Sequence, residues 1–138
     1  MRVDFTNLIS RDVLEAEIVH MARRLDEAAN LTRQAHLFAA LGQYDHADPM
    51  YRASLKIKED VLGAGSMEVA LGLEDLAELH EMRREFANAL ALYQRAVEVK
   101  TQILGALHPD VLRSARVLKR FDLPEPGGPP AVMCDTPY

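Results

Sequence analysis

From Val69 onward the apolar positions Val69, Leu73, Leu76 and Ala77, with His80 as an aromatic substitute, recur three and four residues apart. That spacing puts them on one face of an α-helix. A polar break, Arg83-Arg84-Glu85, separates them from a second series: Phe86, Ala89, Leu92, Tyr93, Ala96, Val97, Val99, Ile103 and Leu104. Gly105 stops that series as a C-terminal cap, where a left-handed backbone carries little cost. His108-Pro109-Asp110 opens a further helix, because proline suits the first turn and an aspartate there meets the positive helix end. An earlier pair of series breaks at Leu41-Gly42-Gln43 and ends at Gly63. The pattern predicts helices with breaks near 42–43, 63–66, 83–85 and 105–108, and no strand in 31–121.

The two pairs are copies of one unit. With the chain offset against itself by 42 residues, Leu31 meets Leu73, Ala35 meets Ala77, Leu37 meets Leu79 and Ala47 meets Ala89. Tyr51 meets Tyr93, Lys58 meets Lys100, Leu62 meets Leu104, Gly63 meets Gly105, Ala64 meets Ala106 and Val69 meets Val111. These ten identities compare with roughly two or three expected by chance from the composition. The alanines have a packing reason. Ala35 with Ala47, and Ala77 with Ala89, are predicted where the two helices of a pair cross, so that the backbones approach closely. Pro49 removes one backbone hydrogen bond but lies in the first turns, and the helix is kept across it.

The repeated stretches resemble tetratricopeptide repeats, and more narrowly the long variety of kinesin light chains. The residues that carry the likeness are Leu73-Glu74-Asp75-Leu76-Ala77, Ala89-Leu90-Ala91-Leu92-Tyr93-Gln94-Arg95-Ala96-Val97 and Leu104-Gly105-Ala106-Leu107-His108-Pro109-Asp110-Val111. In the first unit they are Gly42-Gln43-Tyr44 and Ala47 to Leu55, and the likeness covers 27 to about 121. The resemblance implies an all-α, right-handed helical solenoid that binds a protein or peptide in a concave groove, without catalysis. Two asparagines that hold a peptide backbone in the family are replaced here by Glu74 and Asp75, and by Thr32 and Arg33 in the first unit.

The predicted organisation is an arm over 1–9, an N-terminal helix over 10–26, repeats over 27–68 and 69–110, a capping helix over 111–121 and a Pro/Gly-rich tail over 122–138. Ser10 is a plausible N-cap. No Gly or Pro interrupts Arg11 to Leu41, so the choice is one long helix or a bend near Asp26 to Asn30. Leu14, Ile18, Met21, Leu25 and Ala28 are spaced 4, 3, 4 and 3, as in a coiled-coil seam. The stripe is expected to cover the first unit within the chain, with homodimerisation through Leu14, Ile18, Met21 and Leu25 as the alternative. Lys119 stands where the crossing alanines stood, and Arg113, Arg116, Lys119 and Arg120 supply a polar cap.

Composition narrows the function. A net charge of −5 argues against a nucleic-acid surface. No run of apolar residues is long enough to span a membrane. Cys134 is the only cysteine, so no intrachain disulfide can form, and a cytoplasmic location is expected. The five histidines share no metal spacing, and His80-Glu81-Met82-Arg83-Arg84-Glu85 lacks the second histidine of a zinc-protease motif. Gly63-Ala64-Gly65-Ser66 lacks the lysine of a phosphate loop, and Cys134 has no base beside it. No catalytic residue, metal or cofactor is expected. Pro126-Gly127-Gly128-Pro129 has the Pro-x-x-Pro spacing, weakened by its glycines. Met50, Met67 and Met82 are expected to fill core gaps.

The candidate groove carries charge. Glu74, Asp75, Glu78 and Glu81 share one helix face. A solvated face is the plain reading. The 42-residue offset suggests a charge ladder between neighbouring parallel helices: Arg33 beside Asp75, Glu74 beside Arg116, Glu78 beside His36 and Arg120, with Glu81 left without a basic equivalent. The expected function is a protein-binding adaptor, the alternative a self-assembling structural module.

Overall fold

The computed structural model describes residues 5–121, with side chains from residue 10 on. Among them are five helices and no strand: α1 (Phe5–Ala40), α2 (Tyr44–Leu62), α3 (Met67–Met82), α4 (Phe86–Leu104) and α5 (Pro109–Arg120). All four breaks fall at the polar and glycine positions that predict them. Both α4 bounds lie 42 residues after those of α2, and α5 starts 42 residues after α3. The expectations for the tail, with its Pro-x-x-Pro run and Cys134, lie outside the described residues.

The helix ends explain the breaks. Gly42, Gly63 and Gly105 have φ of 76°, 87° and 90°, which a side chain disfavours. Ser66 caps α3 by accepting a hydrogen bond from the Val69 amide at 3.2 Å. The His108 ring accepts from the Asp110 amide at 3.1 Å and Pro109 occupies the first helical position. Pro49 sits inside α2, which continues through it.

The chain forms two units, divided after Ala64. The first is an antiparallel pair of α1 and α2. Its contacts step along the two helices in opposite directions. Phe38 meets His46 with ring centroids 5.3 Å apart, and Tyr51 Oη shares a 2.7 Å hydrogen bond with His36 Nδ1. Ser54 Oγ donates to the Ala28 carbonyl at 2.8 Å, and Arg24 pairs with Asp60 at 3.6 Å. Ala28, Ala35, Ala39 and Ala47 are buried, as close helix approach requires.

For α1 the expected start and the expected cover of its stripe change, and the open choice between one helix and a bend is resolved. The helix starts at Phe5, so the arm begins to coil before residue 9, and Ser10 lies inside the helix instead of capping it. No break occurs at Asp26 to Asn30, so the long single helix is the one adopted. The stripe does not cover the first unit along its length: Leu14 and Ile18 are 55% and 58% exposed, and Met21 is exposed as well. The reason is length. α1 has 36 residues and α2 has 19, about 54 Å against about 28 Å at 1.5 Å per residue. α2 runs out near Arg24, and the stripe N-terminal to it has no helix of the same unit to lie on.

The second unit packs α4 against both α3 and α5. Ala77 and Ala89 are completely buried beside Tyr93, with Leu92, Val117, Leu118 and Phe121 around them. Phe121 closes the end, its ring 5.9 Å from that of Tyr93 and 6.3 Å from that of Phe86. His80 is buried, as its place in the apolar series predicts, whereas Met82 is exposed and fills no gap. Arg113, Arg116, Lys119 and Arg120 are exposed on α5, as a polar cap requires. Among the described residues no buried side-chain nitrogen or oxygen lacks a hydrogen-bond partner.

Candidate protein-binding cleft

A cleft of about 570 Å³ lies in the second unit. Its walls follow from helical spacing. Met67, Leu71, Glu74 and Glu78 come from one face of α3, and Ser114, Val117 and Arg120 from one face of α5. Tyr93, Lys100 and Leu104 of α4 also line it, and His108, Asp110 and Arg113 frame the start of α5. The α3 wall carries Glu74 and Glu78, the α5 wall carries Arg113 and Arg120 beside Asp110, and Tyr93, Lys100 and Leu104 lie between them.

A polar network binds the walls together. Lys100, only 7% exposed, donates through Nζ to Glu74 Oε1 at 2.6 Å and to Ser114 Oγ at 3.1 Å. Ser114 Oγ donates to the same Glu74 oxygen at 3.0 Å. One residue from each of three helices therefore meets around a single carboxylate oxygen. A second link crosses near the ends of α3 and α5, where Arg120 pairs with Glu81 at 3.2 Å. Tyr93 Oη donates to Glu81 Oε2 at 3.1 Å. Burial pushes the Tyr93 phenol above its ordinary pKa, and the Glu81 charge adds to the effect. The phenol therefore stays protonated as a donor.

These bonds correct the expected ladder. Glu74 pairs with Lys100 instead of Arg116, because Lys100 rises from α4 beneath the carboxylate while Arg116 stays exposed. Arg120 reaches Glu81, which was expected to be left over. The carboxylate of Glu81, three residues after Glu78 on α3, is held in place by Tyr93 of α4. Glu78 lines the cleft and is exposed. Asp75 is half-buried. Arg33 and His36 belong to the first unit. There Arg33 donates to Asn30 Oδ1 at 2.7 Å, and His36 stands edge-on to Tyr51 with ring centroids 5.3 Å apart.

Sequence reasoning missed Lys100, Ser114 and Tyr93 as parts of the site. A signal for Lys100 exists: it continues the apolar face of Tyr93, Ala96 and Leu104, where a charge needs a partner. At the α3–α4 joint, His80 Nδ1 donates to Glu85 Oε2 at 3.1 Å. This hydrogen bond holds the Glu85 carboxyl below its ordinary pKa, and Asn88 and Arg83 add to the effect.

No helix among the described residues is long and apolar enough to cross a membrane. Among the same residues no group of histidine, cysteine, aspartate and glutamate side chains could hold a metal ion. Comparison with the curated proteins gives no match. The family model for the tetratricopeptide repeat matches residues 26–102, from the second half of α1 almost to the end of α4, and by that match the chain belongs to the tetratricopeptide repeat family.

Proposed function

We propose that this protein is an adaptor that holds a segment of a partner protein in the cleft between α3 and α5. The observation that carries the proposal is the cleft itself: about 570 Å³, with carboxylates on the α3 wall, arginines on the α5 wall and the apolar side chains of Met67, Leu71, Leu104 and Val117 among them. Proteins of this family generally mediate protein–protein interactions, and they do so without catalysis. The contact residues we propose are Glu74, Glu78 and Arg120, which line the cleft, with Asp75 and Glu81 of α3 and Arg116 of α5 on the helices that form its walls, and Arg33 and His36 as contacts on the first unit. Basic side chains of the partner would lie toward α3 and carboxylates toward α5. Such complementarity sets specificity and association rate more than affinity, and it weakens with salt.

The narrower likeness to kinesin light chains remains part of this proposal. It is supported by the 42-residue displacement of α4 from α2. A cytoplasmic site of action is supported by the single cysteine.

The test uses residues outside the Lys100 network, because altering Glu74 would disturb the fold. Affinity capture with the intact chain is compared with capture by a Glu78→Lys, Arg116→Glu variant. The proposal expects a defined protein retained by the first and lost from the second while the variant stays folded, and a yield that falls with salt. Equal capture by both would overturn it.

A second reading, self-association through Leu14, Ile18, Met21 and Leu25, is favoured by the exposure of the first three. It is compatible with a free cleft.

A further inference from the structure

We infer, on the basis of the cleft proposed above, that its occupant is an extended segment with two matched side chains: a leucine-sized apolar one and, four residues away on the same face, a lysine or arginine.

The two ends of the cleft differ. Met67 and Leu71 line it at the start of α3, and Leu71 is 48% exposed although it is large and apolar. α4 runs back along α3, as the Tyr93–Glu81 and Lys100–Glu74 bonds show. That direction brings Leu104 to the level of Met67 and Leu71, so this end is apolar. At the other end the cleft meets a hollow of about 400 Å³ lined by Glu78, Glu81, Met82, Tyr93 and Arg120. Glu78, Tyr93 and Arg120 line both spaces, which makes them one trough along α3.

Charge decides what suits the second end. In the middle of the trough Glu74 pairs with Lys100, and beside the apolar end Asp110 pairs with Arg113. Each of these pairs balances itself. At the second end the carboxylates of Glu78 and Glu81 stand with the guanidinium of Arg120 among the lining residues, so negative charge is in surplus. The Tyr93 phenol reports the same field: burial raises its pKa most, Glu81 and Glu78 raise it further, and Arg120 offsets them only in part. One cation from the partner balances this end. The Leu71 side chain, covered by an apolar residue, supplies the non-polar contact, and the cation sets the specificity.

Length selects the conformation. Glu78 stands seven residues after Leu71 and eleven after Met67, about 10 and 16 Å along α3 at 1.5 Å per residue. Side chains four residues apart on an extended segment point the same way and are about 13 Å apart, whereas a spacing of two gives only about 7 Å. A helix would need two turns to join the ends. At about 10–12 Å across it occupies roughly 400–600 Å³ per turn, so two turns exceed the cleft's volume of about 570 Å³.

The probes are blocked peptides on a Gly/Ser background: Leu and Lys four residues apart, Leu and Lys two apart, and Leu and Glu four apart. Each is titrated into the isotope-labelled intact chain and followed by NMR. The first is expected to shift the amide signals of Leu71, Glu78, Glu81 and Leu104. It should bind at least about threefold more tightly than the other two, roughly the worth of one partly exposed ion pair. Leu71 and Glu78 are both exposed, so Leu71→Ser and Glu78→Gln chains stay folded. Leu71→Ser should weaken every peptide, and Glu78→Gln should narrow the margin of Lys over Glu. Equal binding of the Leu/Glu peptide overturns the charge assignment, and equal binding at the shorter spacing overturns the extended register. No shift in the cleft from any peptide at millimolar concentration overturns both. Capture of a partner by the intact chain, lost from the Glu78→Lys, Arg116→Glu variant, would in those cases leave the adaptor standing and remove only the occupant described here.

Discussion

Lys100 shows what one side chain contributes here. Its amine is buried against Glu74 and Ser114, and removing one member of such a pair leaves the other desolvated without a partner. Lys100→Ala is therefore expected to lower stability by about 2–3 kcal/mol, toward the lower end of buried pairs because Glu74 keeps some contact with water. Denaturant titration of Lys100→Ala, Glu74→Gln and the double variant checks it: the double loss should fall clearly short of the sum of the single losses. Glycines act differently. Gly105 has φ 90° and ψ 153°, a backbone region that belongs to glycine, while a Cβ there would meet nothing within 4 Å. Gly105→Ala should thus cost about 1–3 kcal/mol from backbone conformation alone. Gly65, equally open and without a positive φ, should accept alanine with no loss, and thermal melts of the two variants separate backbone strain from packing.

At the scale of elements, the crossing of α3 and α4 depends on two alanines with no exposed surface. Ala77→Leu and Ala89→Leu should each lower stability by about 1–3 kcal/mol through overpacking. Ala91→Leu, exposed on α4, should be nearly neutral in the same melts. The joint between these helices carries a pH dependence. Glu85 is held ionised by His80, so its folded pKa lies below the unfolded one. Its stabilising contribution is present above the ordinary glutamate range and is lost as the pH falls through the folded value. Melting curves of the wild type and Glu85→Gln should differ at about pH 6–7, and the gap should close at a pH well below the ordinary glutamate range. An equal gap at both pH values would remove the linkage. Helix boundaries were legible because glycine, proline and the polar breaks act locally, within a turn of where they stand. The lower half of α1 was not, since nothing in residues 11–41 states how long α2 will be. The partner of Glu74 escaped for a related reason. The 42-residue offset relates α3 to α5, but Lys100 enters from α4, which that comparison leaves out.

Across the whole molecule, apolar periodicity was enough to give an all-α fold, and duplication was enough to give its family. The charged face of α3 was also visible from sequence, although its internal pairing changes which residues remain for a partner. Glu74 and Glu81 are occupied in holding helices together. Arg116, exposed on α5, can meet a ligand without such a commitment. The same burial has a chemical consequence. An acylating reagent needs an unprotonated, accessible amine, and Lys56 and Lys119 are exposed while Lys100 is not. In the folded protein, mass spectrometry after brief acylation should find Lys56 and Lys119 modified and Lys100 intact. Its rate of modification should follow the opening of the second unit. Once modified, it could no longer return as a cation to Glu74, so a single acyl group would trap the three helices apart and turn a transient opening into a lasting one.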